Sequence, residues 1–259
     1  MDIRSVAPIP YLLSTTVQPD RVRSEDYPFH LPLLRTLDLQ FTAPVTFFVG
    51  ENGTGKSTVI EALAALCRLP VSGGSRNELE ANHGPDAASA LAPALRPAFR
   101  RRPRDGYFLR AEFQAHLASL LDARSADPDF RGDAYASHGG RSLHTRSHGE
   151  AFLAILKTRI RSGLLLLDEP ESALSPQRQL ALLAHMAAAV ARGTAQFIVA
   201  THSPILLTFP GAQILSFDGD AVSEVRLEDT SHYQITRGIL QNPAVYWKHL
   251  RPSAEEEGD

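Results

Sequence analysis

Three short apolar runs punctuate the chain: Val45–Val49 (VTFFV), Leu164–Leu167 (LLLL) and AQFIVA at 195–200. The last two lack polar alternation and flank an Ala/Leu-rich segment from Pro176 to Ala191 that reads as a helix. Such runs are expected of strands in a parallel sheet whose faces are both covered. The pattern before Val45 is different. Residues 1–44 hold brief apolar runs broken by Pro8, Pro10, Pro19, Pro28, Pro32 and Pro44, which predicts short strands and turns, not helix. Within them Leu34–Phe41 (LRTLDLQF) alternates well enough to be a strand. Pro70 and Ser72–Asn77 (SGGSRN) mark a turn, and Glu78–Ala98 is rich in Ala, Leu and charge, predicting one or two proline-interrupted helices. Gly106–Phe113 (GYFLRAEF) reads as a strand running into a helix. An Asp218–Gly219 turn between ILSF and AVSEVRL predicts a closing antiparallel hairpin. HYQITRGILQNPAVYWKHL is expected to be helical with a break at Pro243, and residues 252–259 form an acidic tail expected to be disordered.

The segment after VTFFV carries the first candidate chemistry. Gly50, Glu51, Asn52, Gly53, Thr54, Gly55, Lys56, Ser57 and Thr58 contain G-x-x-x-x-G-K-[ST], the phosphate-binding loop, between a predicted strand and a predicted helix. A glycine turn ahead of a helix N-terminus aims several backbone N–H groups, and the positive end of the helix dipole, at one point. Lys56 is placed to reach the β- and γ-phosphates of a nucleotide, and Ser57 to take one position on Mg²⁺. Two further motifs narrow the reading to hydrolysis. LLLL ends in Asp168 and Glu169 at the edge where a parallel sheet collects ligands. Asp168 can hold Mg²⁺ through water, and Glu169 can take a proton from attacking water. His202, in IVATHSP at the end of the next strand, can hydrogen-bond the γ-phosphate or that water.

Composition adds mainly exclusions. The 259 residues suit one large domain or one with a helical insert, and a net charge of −3 gives no global field that would draw the chain onto nucleic acid. Basic surface must be local. Five arginines between Arg96 and Arg104 read first as a solvated connector and second as an anion or nucleic-acid contact. Cys67 is the only cysteine, which excludes an internal disulfide and fits a reducing cytoplasm. MDIRSVAPIPYLL does not have the layout of a signal peptide, and no apolar run approaches the ~20 residues of a membrane span.

Taken together, GENGTGKS, LLLLDEPESALSP and ATHSP resemble the ATP-binding-cassette (ABC) ATPases, including the soluble relatives that share a nucleotide-binding head with SMC and RecF proteins. The chain is also similar, through YPFHLPLLRTLDLQF, RDGYFLRAEF, GGRSLHTRSHGEAFLAIL and HYQITRGILQNP, to a group of small stand-alone bacterial predicted ATPases. The resemblance implies an α/β P-loop fold over 1–259: a central, mostly parallel sheet with antiparallel strands and a smaller helical subdomain at 112–160. It implies ATP and Mg²⁺ as ligands, and a head-to-tail dimer closed by ATP. Ser147, His148, Gly149 and Glu150 would supply the signature that binds the γ-phosphate of the opposing subunit, with His148 in place of the usual first glycine. Gln114, with Glu112 as rival, would sense the metal and γ-phosphate, and Tyr27 would stack on adenine. Two roles follow: a soluble switch acting on nucleic acid or a protein partner, or the motor subunit of a membrane transporter. The DEPES wording after the acidic pair favours the first. The short Ser57–Ser147 separation excludes an SMC-type arm.

Overall fold

The structure, a computed structural model, describes residues 10–22, 26–75, 89–110 and 162–250, with isolated positions 125 and 159. In chain order the elements are β1 (Leu12–Val17), α1 (Pro32–Arg35), β2 (Asp38–Gln40), β3 (Val45–Val49), α2 (Lys56–Leu66), β4 (Gly74–Ser75), β5 (Leu95–Phe99) and β6 (Gly106–Arg110). They continue with β7 (Gly163–Asp168), α3 (Pro176–Ala191), β8 (Ala195–Ala200), β9 (Gln213–Ser216), β10 (Ser223–Glu224), α4 (Ser231–Gln241) and α5 (Pro243–Leu250).

The strands form two sheets. The larger has the order β10-β9-β3-β8-β7-β6-β4, with parallel pairing from β9 through β6 and an antiparallel strand at each edge. The smaller, β2-β1-β5, is antiparallel throughout. Strand period explains why the apolar runs do not alternate. Leu165 and Leu167 of β7 point into a core with Leu182 and Met186 of α3, while Leu164 and Leu166 point into a second core with Ile60 and Leu63 of α2. Each face of the sheet is therefore covered, and every residue of β7 and β8 is buried. The second core also takes Leu12, Leu39 and Leu95, so the small sheet closes over the same face as α2.

One buried amide joins the two sheets. Gln196 in β8 accepts from Leu12 N–H and donates to Leu12 C=O, both at 2.9 Å. The two bonds lie where the β1–β5 register shifts, between Leu12 and Ser14. A break in a ladder leaves backbone groups to be satisfied by other means, and here a side chain does it.

Three expectations change. Leu34–Phe41 is not one strand: Pro32–Arg35 form a helical turn, with proline at its start, and pairing is confined to Asp38–Gln40. Leu95–Phe99, expected as the end of a helical stretch, is a strand, because pairing with β1 overrides local propensity. The β9–β10 hairpin forms, but its ladder stops at Ser216–Ser223 and leaves 217–222 as a wider loop, where Asp218 binds another segment. The breaks after α2 and at Pro243 fall as expected. The subdomain at 112–160 and the tail at 252–259 lie outside the described residues.

Substituting Gln196→Leu, nearly equal in size, should lower unfolding free energy by about 2–4 kcal/mol, because two buried backbone groups lose their partner. The expected readout is a lower urea midpoint at unchanged slope. A loss below about 0.5 kcal/mol would mean that Leu12 finds other partners.

Candidate functional site

The phosphate-binding loop leaves β3 at Gly50, whose φ of +142° suits glycine alone. A Cβ there would lie 2.9 Å from Asp218 Oδ1. The Asp218 carboxylate accepts a 2.7 Å hydrogen bond from Glu51 N–H and so holds the loop to the segment after β9. Gly55, at φ +97°, caps α2, so the helix begins at Lys56 itself. The Lys56 ammonium curls back to donate to the carbonyls of Gly50 at 2.6 Å and Glu51 at 2.7 Å. Burial lowers its pKa, while Glu169, Asp218, Asp168 and Glu51 favour its charged form.

Parallel register brings the second motif to the same place. Asp168 stands level with Ala200 of β8 and Arg110 of β6, and Phe48 of β3 is level with Ala200. Asp168 is buried and accepts a 3.1 Å hydrogen bond from Ser57 Oγ. Desolvation pushes its pKa up to about 6, partly offset by Arg110, whose Nε is 3.9 Å from Oδ2, and by the Ser57 bond. Arg110 is shared with Glu61 of α2, at 2.7 Å.

Glu169 follows with a left-handed backbone, φ 47° and ψ 54°. A residue with a Cβ adopts that conformation at a cost of roughly 1 kcal/mol. It is fixed by Glu169 N–H donating to Ala200 C=O at 3.0 Å, and by the Ser172 hydroxyl donating to the Glu169 carbonyl at 2.8 Å. The chain turns so that Pro170 is buried while the Glu169 carboxylate stays accessible at the sheet edge. Its Oε1 lies 3.4 Å from His202 Nε2.

His202 is held from several sides. Its backbone N–H donates to Glu171 Oε1 at 2.6 Å, and its Nδ1 lies 2.8 Å from Nε2 of His232 on α4. Burial raises the pKa of Glu171, and the bond from His202 N–H opposes that rise. Beyond His202, Ser203 hydrogen-bonds Gln179 of α3, which itself donates to Leu174 C=O at 3.1 Å.

The matches with known proteins cover these same parts. A family model described as "AAA domain" matches residues 29–90, around the phosphate-binding loop. Another, "AAA domain, putative AbiEii toxin, Type IV TA system", matches 151–208, around Asp168, Glu169 and His202. The molybdenum import ATP-binding protein ModC of Rhodopseudomonas palustris (strain HaA2) is 32% identical over 53% of this chain. The chain spans only 40% of that relative's length. Among solved structures, MJ1267, an ATP-binding cassette of an ABC transporter, in its ADP conformation, is 13% identical and superposes over 94% of this chain and 100% of its own, with a TM-score of 0.52. The chain has the fold of an ABC-type P-loop nucleotide-binding domain, and its motifs are similar to those of these ATP-binding relatives.

The structure brings together Lys56, Ser57, Asp168, Glu169 and His202. Tyr27 is exposed beside the loop helix, its hydroxyl 3.3 Å from Thr58 Oγ1 and its ring stacked on His30 at 5.9 Å. Gln114, Glu112, Ser147, His148, Gly149 and Glu150 lie outside the described residues. Sequence reasoning missed Arg110, Glu171, Asp218 and His232 as parts of the site. Each sat in a segment already assigned to strand, turn or helix, and its role depends on a neighbour distant in sequence. Arg110 alone left a signal, as a charge ending an apolar strand.

Because Asp168 is raised from 3.8 to about 6, the native metal-free protein binds more protons than the unfolded chain between those values. Its stability is fullest below the unfolded pKa and declines as pH rises through about 6, by up to about 3 kcal/mol. Urea unfolding of metal-free protein should show Asp168→Asn flattening this decline and exceeding wild type at pH 7.5. Equal pH slopes for the two proteins would refute the assignment. Glu171, raised by burial, contributes in the same direction in both and cancels from the comparison.

Proposed function

We propose that the chain is an ATPase that binds Mg-ATP across the loop and the β7–β8 edge and hydrolyses it with Glu169 as the base. The observation that supports this most is the Ser57–Asp168 hydrogen bond, a hydroxyl and a carboxylate meeting beside the buried Lys56. This is an all-oxygen donor pair on a carboxylate left partly uncompensated by its surroundings. That fits Mg²⁺, which takes one or two protein oxygens and completes its shell with phosphate oxygens and water. Ser57 would bind the ion directly and Asp168 through water. Bound there, Mg²⁺ would neutralise charge on the β- and γ-phosphates.

The remaining steps belong to the chain. Lys56 exchanges its two carbonyl partners for phosphate oxygens, and the N–H groups of 50–58 face the β-phosphate. Glu169 takes a proton from water as the water oxygen attacks the γ-phosphorus and the bond to the bridging oxygen breaks, giving ADP and phosphate. His202 donates through Nε2 to the γ-phosphate, where charge accumulates. Tyr27 stacks on adenine, and Gln114, or Glu112 in its place, reports on metal and γ-phosphate. Ser147, His148, Gly149 and Glu150 of a second copy complete the site, so ATP closes a head-to-tail dimer and hydrolysis reopens it.

This cycle suits a switch that acts on nucleic acid or a protein partner. If the partner is nucleic acid, the exposed arginines of β5 and the following turn would meet its phosphates. Arg101 and Arg102 already lie over Tyr11 and Phe99, at 5.5 and 4.9 Å, so these rings are not free to stack on bases. The similarity to ModC favours a second reading, an ATP-binding subunit for a separate membrane protein. No helix among the described residues is long and apolar enough to cross a membrane.

Glu169→Gln should bind Mg-ATP, lose at least about 100-fold in turnover, and double in mass on a sizing column with light scattering when ATP is added. Turnover equal to wild type would remove Glu169 as the base. A monomer with tightly bound ATP would remove the homodimer.

A further inference from the structure

His232 lies 30 residues beyond His202 and belongs to α4, outside the sheet. Thr230 places it: the Thr230 side chain caps α4 by accepting from Tyr233 N–H, and its hydroxyl donates to Leu227 C=O at 2.8 Å. The two imidazoles meet Nδ1 to Nε2 at 2.8 Å, with ring centres 4.9 Å apart. A contact of that length needs one proton between two nitrogens. Which ring supplies it is decided by the outer nitrogens. His202 Nε2 faces the Glu169 carboxylate at 3.4 Å, an acceptor, so a hydrogen belongs on Nε2. Neutral His202 then has a bare Nδ1, and the shared proton comes from His232 Nε2. The far end agrees. His202 Nε2 and His232 Nδ1 are both buried with no hydrogen-bond partner among the described residues, but only His202 Nε2 has a carboxylate beside it, so the N–H is favoured there and the lone pair is cheaper to leave on His232 Nδ1. Burial and the nearby His202 hold the His232 pKa below its ordinary value, which favours a neutral ring with a single N–H.

We propose that His232 is a positioning residue that donates from Nε2 to His202 Nδ1, fixing His202 as the Nε2–H tautomer that faces Glu169 and the γ-phosphate. This rests on the hydrolytic reading above. It makes α4 part of the catalytic apparatus: an imidazole free to exchange tautomers would present a lone pair to an anionic phosphate for part of the time, a repulsive arrangement. His232 touches no substrate and acts only through His202.

The test uses the full chain labelled with ¹⁵N-histidine. Ring-nitrogen spectra of nucleotide-free protein report tautomers directly, and the His202→Gln spectrum identifies the His202 signals among the ten histidines. Wild type is expected to show His202 as Nε2–H. His232→Phe, which keeps a ring and removes the donor, should convert His202 to the other tautomer or to a mixture. It should also lower kcat about 10-fold with KM changed less than about 2-fold, whereas His232→Gln, whose amide can donate, should stay within about 3-fold of wild-type kcat. An Nδ1–H tautomer in wild type, or an unchanged His202 spectrum in His232→Phe, overturns the proposal. Wild type with the expected tautomer that turns over no ATP overturns the hydrolytic reading alone, and the ring spectra then decide the positioning role.

Discussion

The site depends on the parallel register of β3, β8, β7 and β6. Because the four strands run the same way and adjacent pairs meet level at Phe48–Ala200, Ala200–Asp168 and Asp168–Arg110, the residues that follow them emerge along one edge. A parallel sheet can hold that register only if both faces are covered, since its strands carry apolar residues in both directions. The two cores flanking β7 are therefore a condition of the chemistry as well as of stability. A slip of one residue in β7 would exchange its two leucine sets between cores and turn Asp168 away from Ser57.

Coverage comes from unlike partners. Helix α3 packs on one face, and α2 with the small sheet on the other. The small sheet is the less secure half, built from strands with polar or proline-interrupted sequence, and the Gln196 amide binds it to β8 by backbone contacts that no hydrophobic residue could make. A buried polar bridge adds little net stability compared with leaving both groups in water, but it penalises any other placement of β1. It supplies specificity of docking where the apolar pattern is weak.

This division explains what could be read from the sequence. Local order and strong periodicity exposed β3 and its loop, α2, β6 through β8, α3 and the break at Pro243. Those elements carry Lys56, Ser57, Asp168, Glu169 and His202, so the residues that the structure brings together at the sheet edge were legible. Elements whose identity rests on pairing were not: Leu95–Phe99 becomes a strand only beside β1, and Asp38–Gln40 is cut short by a proline-led turn. The supporting polar contacts were hidden for the same reason. Glu171 stood within the DEPES segment, yet its bond to His202 N–H crosses from one strand end to the next. Asp218 was assigned to a turn, where Asp is common, and in fact leaves the turn to hold Glu51.

The charges of the nucleotide-free site are poorly matched to their surroundings, and this bears on how ligand energy is used. Burial disfavours the charged forms of Lys56, Asp168 and Glu171. Lys56 has only loop carbonyls as hydrogen-bonding partners in the described contacts, and Asp168 has a hydroxyl and a distant guanidinium. The magnesium nucleotide proposed above would supply opposite charge to both at once, so its binding would remove electrostatic cost already present in the fold. Part of the binding free energy would therefore appear as stabilisation of the loop, β7 and the His202 segment. The same argument assigns a direction to release. In the proposed cycle, loss of the γ-phosphate would take away the partner shared by Lys56 and His202 first, while Ser57 and Asp168 would keep theirs, so the edge nearest His202 and α4 would be the first to loosen.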